Sequence, residues 1–501
     1  VVIGGAYTTF VVCCVLPLAY LVVTTLAATG GAYGFTLDSR QRGLLYNTAS
    51  LGIGTAILAT VIGAPLGFVL ARVPLRGKAM ARVLVAAPVL LPPYIVALAW
   101  VNVGGSSEWT YSLPAAVFIL SLVLYPLSML STEVALRRVD GRLEEAALTV
   151  AAPGPVVRRI TLPLVAPAIL ASALITFVLA VSEFGVPGLL RVRVYTTEVF
   201  TAFAALYDFG RAMTLSVPLL VLCVAVAAVA AWLLGDRLVT TRRSIGVSPV
   251  LFNAWRRPAA IAMVLIVVVA GVLPLVILAA RALGDRSPAA AASGSFEAIT
   301  NSLLLAATGA TMVVAVAVWL GYQQSRASHS FRRAAQVTLV VLFAVPSTIL
   351  GVGLIGLWNR TGPLGALYGT DAMFVLAYLA RFIPVGALIM TAATETVSVS
   401  QEEAAAASGI GWLPTMRGIV LPQLRVGIAA TWIVAFVLAF GELGTSILVA
   451  PPGEATLPIR IYTLIANAPP SHVAALALLQ SSVIFIPVAA FAVFVSLREA
   501  R

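Results

Sequence analysis

Two stretches of this 501-residue chain concentrate its chemistry, and they are nearly the same stretch twice. Glu144–Pro163 reads EEAALTVAAPGPVVRRITLP, and Glu402–Pro422 reads EEAAAASGIGWLPTMRGIVLP. Both copies set paired carboxylates beside small residues. Glu144, Glu145, Glu402 and Glu403 offer charge-assisted hydrogen bonds, while Ala146, Ala147, Ala404 and Ala405 let a partner's backbone come close. Glu and Ala favour helix, Gly409 ends it in a left-handed conformation, and proline stops a helix or starts the next. The first copy has Ala151 where the second has Gly409, and it is one residue shorter before its Leu-Pro. The two surfaces are therefore expected to differ in geometry. An accidental amphipathic helix explains one such segment more easily than two at equivalent places.

A second set of residues lies in apolar surroundings. Glu183 and Glu442 each fall near the outer end of an expected membrane span, at matching points of the two halves. A charge at mid-bilayer costs about 2.5–3.5 kcal/mol on insertion scales, so it faces a cavity or a partner. Facing a common axis, the two acids would favour a cationic substrate or tune gating. The competing reading, equally weighted, is that each caps a helix or satisfies backbone. Arg381 also falls inside a span, and its counterpart in the first half is Val123. Snorkelling or an interior hydrogen bond is favoured for it over an ion pair with an acid such as Glu442. Pro92-Pro93, followed by Tyr94, and Pro346 interrupt equivalent spans. Proline frees a carbonyl four residues earlier, which in lipid needs a cavity, water or a neighbour. Such breaks line transport paths or serve packing alone.

Other chemistries are excluded by what is missing. Cys13, Cys14 and Cys223 all lie in apolar runs, and His329 and His472 are far apart, so zinc or iron–sulfur spacing is absent and no metal site is expected. Lys78 follows Gly77, but Arg72 stands where a phosphate-binding loop needs glycine, and Ala79 where it needs Ser or Thr. No G-x-S-x-G or H-E-x-x-H occurs. The chain is not expected to be an enzyme, and any ATP hydrolysis must happen on a partner.

The elements that position these residues must be membrane helices. The chain is 61% hydrophobic and 10% charged, with a mean hydropathy of +1.04. Soluble domains carry about 25% charged residues, so the outside of this one must face lipid. Period-two alternation is absent, which argues against a barrel. Twelve spans are expected near 3–27, 45–71, 83–103, 113–132, 164–187, 212–234, 259–280, 299–322, 335–358, 372–394, 425–449 and 473–497. The first is taken as a retained span, not a signal peptide. With both termini cytoplasmic, 21 of the 31 basic residues fall on the cytoplasmic side. The net charge of +12 is thus topological, and no nucleic-acid partner is implied.

The repeat extends beyond the glutamate–alanine segments. Asn47-Thr48, Leu66-Gly67 and Arg72 match Asn301-Ser302, Leu320-Gly321 and Arg326; Pro92 falls opposite Pro346 and Pro126 opposite Pro384. Downstream, Phe177-Val178-Leu179-Ala180 with Glu183 and Gly185 matches Phe436-Val437-Leu438-Ala439 with Glu442 and Gly444. Six spans separate equivalent points, so the repeats are parallel and imply a pseudo-twofold axis along the membrane normal. The expected organisation is an all-α integral membrane protein of two tandem six-helix lobes. The first lobe is 1–235, with its loop at about 140–163. A cytoplasmic linker covers 236–258, and the second lobe is 259–501, with its loop at about 398–422.

Glu403-Ala404-Ala405, three residues, Gly409, nine residues, Ile419, one residue and Leu421-Pro422 form a spacing that resembles the EAA loop of permeases in binding-protein-dependent ATP-driven (ABC) importers. Leu91–Trp100, Ser182–Pro187, Tyr195–Phe200 and Tyr207–Gly210 are similar to segments of the fused ferric-iron permeases. The resemblance implies a type I fold and an inner-membrane location. Each loop would be a coupling helix seated in a groove of one of two cytoplasmic ABC ATPase subunits. ATP and magnesium would sit on those subunits, and an extracytoplasmic binding protein would deliver substrate. It implies ferric iron as cargo, with thiamine, phosphonate or another small solute as alternatives. A secondary transporter driven by an ion gradient is the rival reading; it would place Glu183 and Glu442 in ion binding.

Overall fold

A computed structural model describes residues 2–28, 38–75, 77–105, 107–234, 255–284 and 288–499. Among the described residues there is no strand, and the chain is all-α as expected. The first half runs through Ile3–Ala27 (α1), Ser39–Arg72 (α2), the bent pair Lys78–Leu90 (α3) and Pro93–Gly104 (α4), and Leu113–Arg138 (α5). The short Gly141–Leu148 (α6), Pro153–Ser182 (α7), the short Gly185–Leu189 (α8) and Tyr195–Phe200 (α9), and Phe209–Leu233 (α10) follow. The second half repeats the order. It has Arg256–Ala282 (α11), Phe296–Arg326 (α12), the bent pair His329–Phe343 (α13) and Ser347–Trp358 (α14), Ala372–Thr394 (α15), and the short Val399–Ala407 (α16). Trp412–Phe440 (α17), the short Ser446–Val449 (α18) and Leu457–Leu464 (α19), and Pro470–Phe494 (α20) complete it.

Ten of these helices are long and apolar enough to cross a bilayer, and the two bent pairs bring the number to twelve if each pair is one span. The bends are 85° at Leu91-Pro92 and 93° at Ala344–Pro346. Proline disfavours helical backbone in the residue before it and donates no hydrogen bond, which favours a break there; Pro126 and Pro384, by contrast, lie inside unbroken α5 and α15. Pro92 and Pro346 are extended themselves, at ψ 129° and 138°. Elsewhere polar residues set the ends. Asp38 and Gln41 form a reciprocal capping box at the start of α2, and the Ser112 hydroxyl accepts the Ala115 N–H at the start of α5.

Two expected spans shift along the chain. α7 ends at Ser182 and α17 at Phe440, so Glu183 and Glu442 lie just past the helices that were expected to contain them. Apolar residues continue after each acid, and hydropathy alone runs through the break.

Small residues let helices touch. A Cβ on Gly67 of α2 would lie 2.3 Å from the Met129 carbonyl oxygen of α5, and one on Gly321 of α12 would lie 2.6 Å from Met390 Cβ of α15. The same crossing is thus built at matching places in both repeats. Gly67→Ala and Gly321→Ala are each expected to cost about 1–3 kcal/mol through overpacking. The check is the melting temperature of the purified protein in detergent; an unchanged value for both would show that these helices part without cost.

The described chain packs as two compact units, and they differ from the chain-order lobes 1–235 and 259–501. One unit joins α1 to Ala292–Ala466 and to α20 from Gln480 onward; the other joins α2–α11 to Asn467–Leu479. In the first of these, α1 covers α14 and α15. Gly353 meets the Pro17 carbonyl, the Cys14 thiol donates to the Leu379 carbonyl at 3.7 Å, and Arg360 lies 4.7 Å over the Tyr20 ring. In the other, α11 covers the first bent pair, with Gly271 beside Pro88 and Arg281 donating to the Asn102 carbonyl at 3.1 Å. Each right-angled pair takes its apolar cover from a first span, and that span comes from the opposite half of the sequence. The expected linker, 236–258, lies outside the described residues up to 254.

Candidate coupling and translocation sites

The glutamate–alanine segments form short helices, α6 and α16. The Asp140 carboxylate accepts the Arg142 N–H at 3.1 Å and starts α6. α16 closes with Ile410 N–H on the Ala405 carbonyl at 2.9 Å and Gly409 N–H on Ala406 at 3.0 Å, Gly409 standing at φ +75°. That left-handed close needs glycine. α6 instead ends with Ala151 N–H on the Ala147 carbonyl, and Thr149 keeps helical backbone. The two copies thus leave their helices differently, and each then enters the next span through a π-turn, Val157–Thr161 or Met416–Val420.

The paired glutamates divide their work. Glu145 is half-buried and Glu403 exposed, beside exposed Ala146 and Ala404, while Ala147 is half-buried and Ala405 buried. Apolar side chains stand exposed nearby: Leu143 and Val150 at the first copy, and Val399, Ile410, Trp412 and Leu413 at the second. Glu144 and Glu402 turn inward. Glu144 is fully buried, its Oε2 lying 2.8 Å from Arg72 Nε, while its Oε1 accepts the Thr161 hydroxyl at 2.6 Å. The Arg72–Glu144 approach is off the hydrogen-bond direction and acts as a charge contact. Glu402 Oε1 receives Arg326 through Nη2 at 2.5 Å and Nε at 3.0 Å, and its Oε2 accepts the Tyr322 hydroxyl at 2.7 Å.

The acids beyond α7 and α17 both bind backbone. Glu183 Oε1 accepts the Gly185 and Val186 N–H groups, at 2.8 and 3.4 Å, at the start of α8. Glu442 Oε1 accepts the Thr445 N–H at 2.8 Å. Glu442 also pairs with Arg381, Nε to Oε2 at 2.9 Å, which corrects the expectation of snorkelling or a hydrogen bond alone. Arg381 Nη1 reaches the Val345 carbonyl at 3.4 Å, at the break before Pro346, so the guanidinium sits where the bend strands a carbonyl. The Thr445 hydroxyl donates to the Ser347 carbonyl across the same break. Tyr94, just past Pro92-Pro93, is buried at 2% exposure. Among the described residues no group of three or more His, Cys, Asp or Glu is placed to hold a metal ion.

Two residues with no role assigned in the sequence emerge here. The Thr48 hydroxyl accepts the first N–H of α9, at Tyr195, at 3.0 Å; the Ser302 hydroxyl accepts that of α19, at Leu457, at 2.5 Å. Their signal was the Asn-Thr and Asn-Ser match between repeats, but the partners lie 147 and 155 residues away.

Comparison with known proteins agrees with this architecture. Residues 63–241 match the family described as binding-protein-dependent transport system inner membrane component. The Fe(3+)-transport system permease protein FbpB 2 of Haemophilus influenzae is 22% identical over 455 residues, covering 89% of each chain. A putative ferric transport system permease protein, FbpB 1, of the same organism is 24% identical over 84% of this chain and 71% of its own. The putative ABC transporter permease protein ORF1 of Streptomyces antibioticus is 32% identical over 163 residues, which is 32% of this chain and 69% of that one. With its helices, its repeated EAA segments and these relatives, the chain belongs to the inner-membrane permeases of binding-protein-dependent ABC transport systems.

Proposed function

We propose that this permease imports ferric iron, taking it from an extracytoplasmic binding protein and passing it through by alternating access. Two copies of a cytoplasmic ATPase bind ATP and magnesium and drive the cycle, one seated on α6 and one on α16. Both termini lie in the cytoplasm, and a pseudo-twofold axis along the membrane normal relates the two lobes. The observation that carries this reading is the pair of short helices at matching places in the repeats. Each turns one carboxylate into the protein and presents the next, Glu145 or Glu403, beside small and apolar side chains. A shallow surface of that kind fits a protein groove better than a small solute. Ferric iron is supported by relatives named for Fe(3+) transport that align along most of the chain. Thiamine and phosphonates are the competing cargoes.

The test is expression with the genomic neighbours and purification on a tag carried by this chain. The expected result is two ATPase subunits per chain, and uptake of ferric iron into proteoliposomes only with ATP and the binding protein present. A chain that purifies alone and transports without ATP would replace this reading with a gradient-driven transporter.

A further inference from the structure

We infer that Glu144 and Glu402 are internal anchors, not docking carboxylates: paired with Arg72 and Arg326, they tie each docking helix to the first core helix of its repeat and carry its displacement there. The inference rests on the importer reading above. It makes these four residues positioning residues and leaves the partner-facing charge to Glu145 and Glu403.

Both arginines are the last residue of their helix, α2 or α12. Arg72 also donates to the Leu136 carbonyl at 2.9 Å, and Arg326 to the Val397 carbonyl at 3.0 Å, so each guanidinium grips the chain just before the docking helix as well as the helix itself. Their side chains are only 3% and 17% exposed, and those of the glutamates 0% and 15%. A carboxylate this buried and this occupied cannot reach a partner without abandoning its arginine in a poorly solvated place.

The hydroxyl that completes each carboxylate comes from a different position in each copy. In the first it is Thr161, at the base of α7; in the second it is Tyr322, one turn before Arg326 on α12. At the matching positions stand Phe68 in the first copy and Val420 in the second, neither with a hydroxyl. The two repeats thus give one carboxylate a hydroxyl by two routes, which argues for the arginine–glutamate charge pair as the feature both copies need. The routes also differ mechanically. Through its carboxylate and arginine the first docking helix is held to α2, α5 and α7; the second is held that way to α12 and the segment before α16, and reaches α17 separately, through Gln423 donating to Gln401 at 2.7 Å.

The closing experiment uses the complex purified with its ATPase, with and without ATP. The readouts are ATPase copies retained and the ATP-dependent change in hydrogen exchange at the cytoplasmic ends of α2 and α12. Glu402→Gln is expected to keep both ATPase copies while reducing the change at α12 about tenfold. Tyr322→Phe should reduce it about threefold, and adding Val420→Thr, which installs the first copy's arrangement, should restore it. A loss of ATPase copies from Glu402→Gln, with both copies kept by Tyr322→Phe, would overturn the proposal and make Glu402 a docking residue. An unchanged response in both Glu402→Gln and Tyr322→Phe would overturn it too. If Glu402→Gln fails to fold, the tyrosine and threonine variants decide alone. A wild-type chain that carries no ATPase overturns the importer reading itself, and this proposal with it.

Discussion

Reversing both outward carboxylates, Glu145→Arg with Glu403→Arg, is expected to strip the ATPase subunits from the permease and end ATP-driven uptake. The change puts a large cation where the docking surface offers an anion beside small residues. Truncating one side of a desolvated charge contact costs about 2–5 kcal/mol, or roughly 30-fold to several thousandfold in affinity, and reversal adds repulsion. Glu403→Arg alone should do more damage than Glu145→Arg alone. Glu403 is exposed amid an exposed apolar rim of Val399, Ile410, Trp412 and Leu413, whereas Glu145 is half-buried, with Leu143 and Val150 exposed beside it. The measurement is ATPase co-purification, followed by uptake of ferric iron in proteoliposomes. Two subunits retained on the double variant, with normal uptake, would remove α6 and α16 from the drive mechanism.

The short helices α6 and α16 were legible in the sequence because everything that makes them is local. Helix-forming Glu and Ala, the left-handed Gly409 and the bounding prolines all lie within one stretch, and the repeat supplied a second reading of it. The bends were legible in part for the same reason, since Pro92-Pro93 and Pro346 lie at them, although Pro126 and Pro384 sit inside the unbroken α5 and α15. The ion pairs beneath α6 and α16 were not. Arg326 and Glu402 stand 76 residues apart, and Arg326 counted in sequence only as one more cytoplasmic charge. The exchange of Phe68 and Thr161 for Tyr322 and Val420 reads as neutral drift until the shared carboxylate is known. Hydropathy also gave the first spans no partners, so their packing on the opposite half's bent pair had no trace. Glu183 and Glu442 were placed inside spans because Gly185–Leu190 and Leu443–Ala450 remain apolar after the helix has stopped. What the acids share is backbone capping, which a sequence cannot distinguish from facing a path.

Arg381 and Glu442 give the second large effect, because each is the other's compensation in a poorly solvated place. Arg381→Met leaves Glu442 with the Thr445 N–H but no cation, and strands the Val345 carbonyl at the bend. Breaking a buried pair by removing one partner costs about 3–5 kcal/mol, so Arg381→Met should sharply lower the melting temperature in detergent. Glu442→Leu should do the same from the other side, with the Thr445 N–H now unpaired. The double variant, Arg381→Met with Glu442→Leu, removes both charges together, and replacing a buried pair by apolar residues is often neutral or better. Its melting temperature should therefore recover most of the loss, with the remainder set by the two orphaned backbone groups. Equal damage in all three would show that the backbone contacts, not the charge pair, hold this bend. Uptake by the stable double variant then separates two meanings of the pair. Normal uptake makes it a brace for the α13–α14 corner, needed because Pro346 breaks the helix there. A stable complex that hydrolyses ATP without moving iron places the pair in the transport step, in a repeat whose counterpart, with Val123 in the arginine's position, has no such charge.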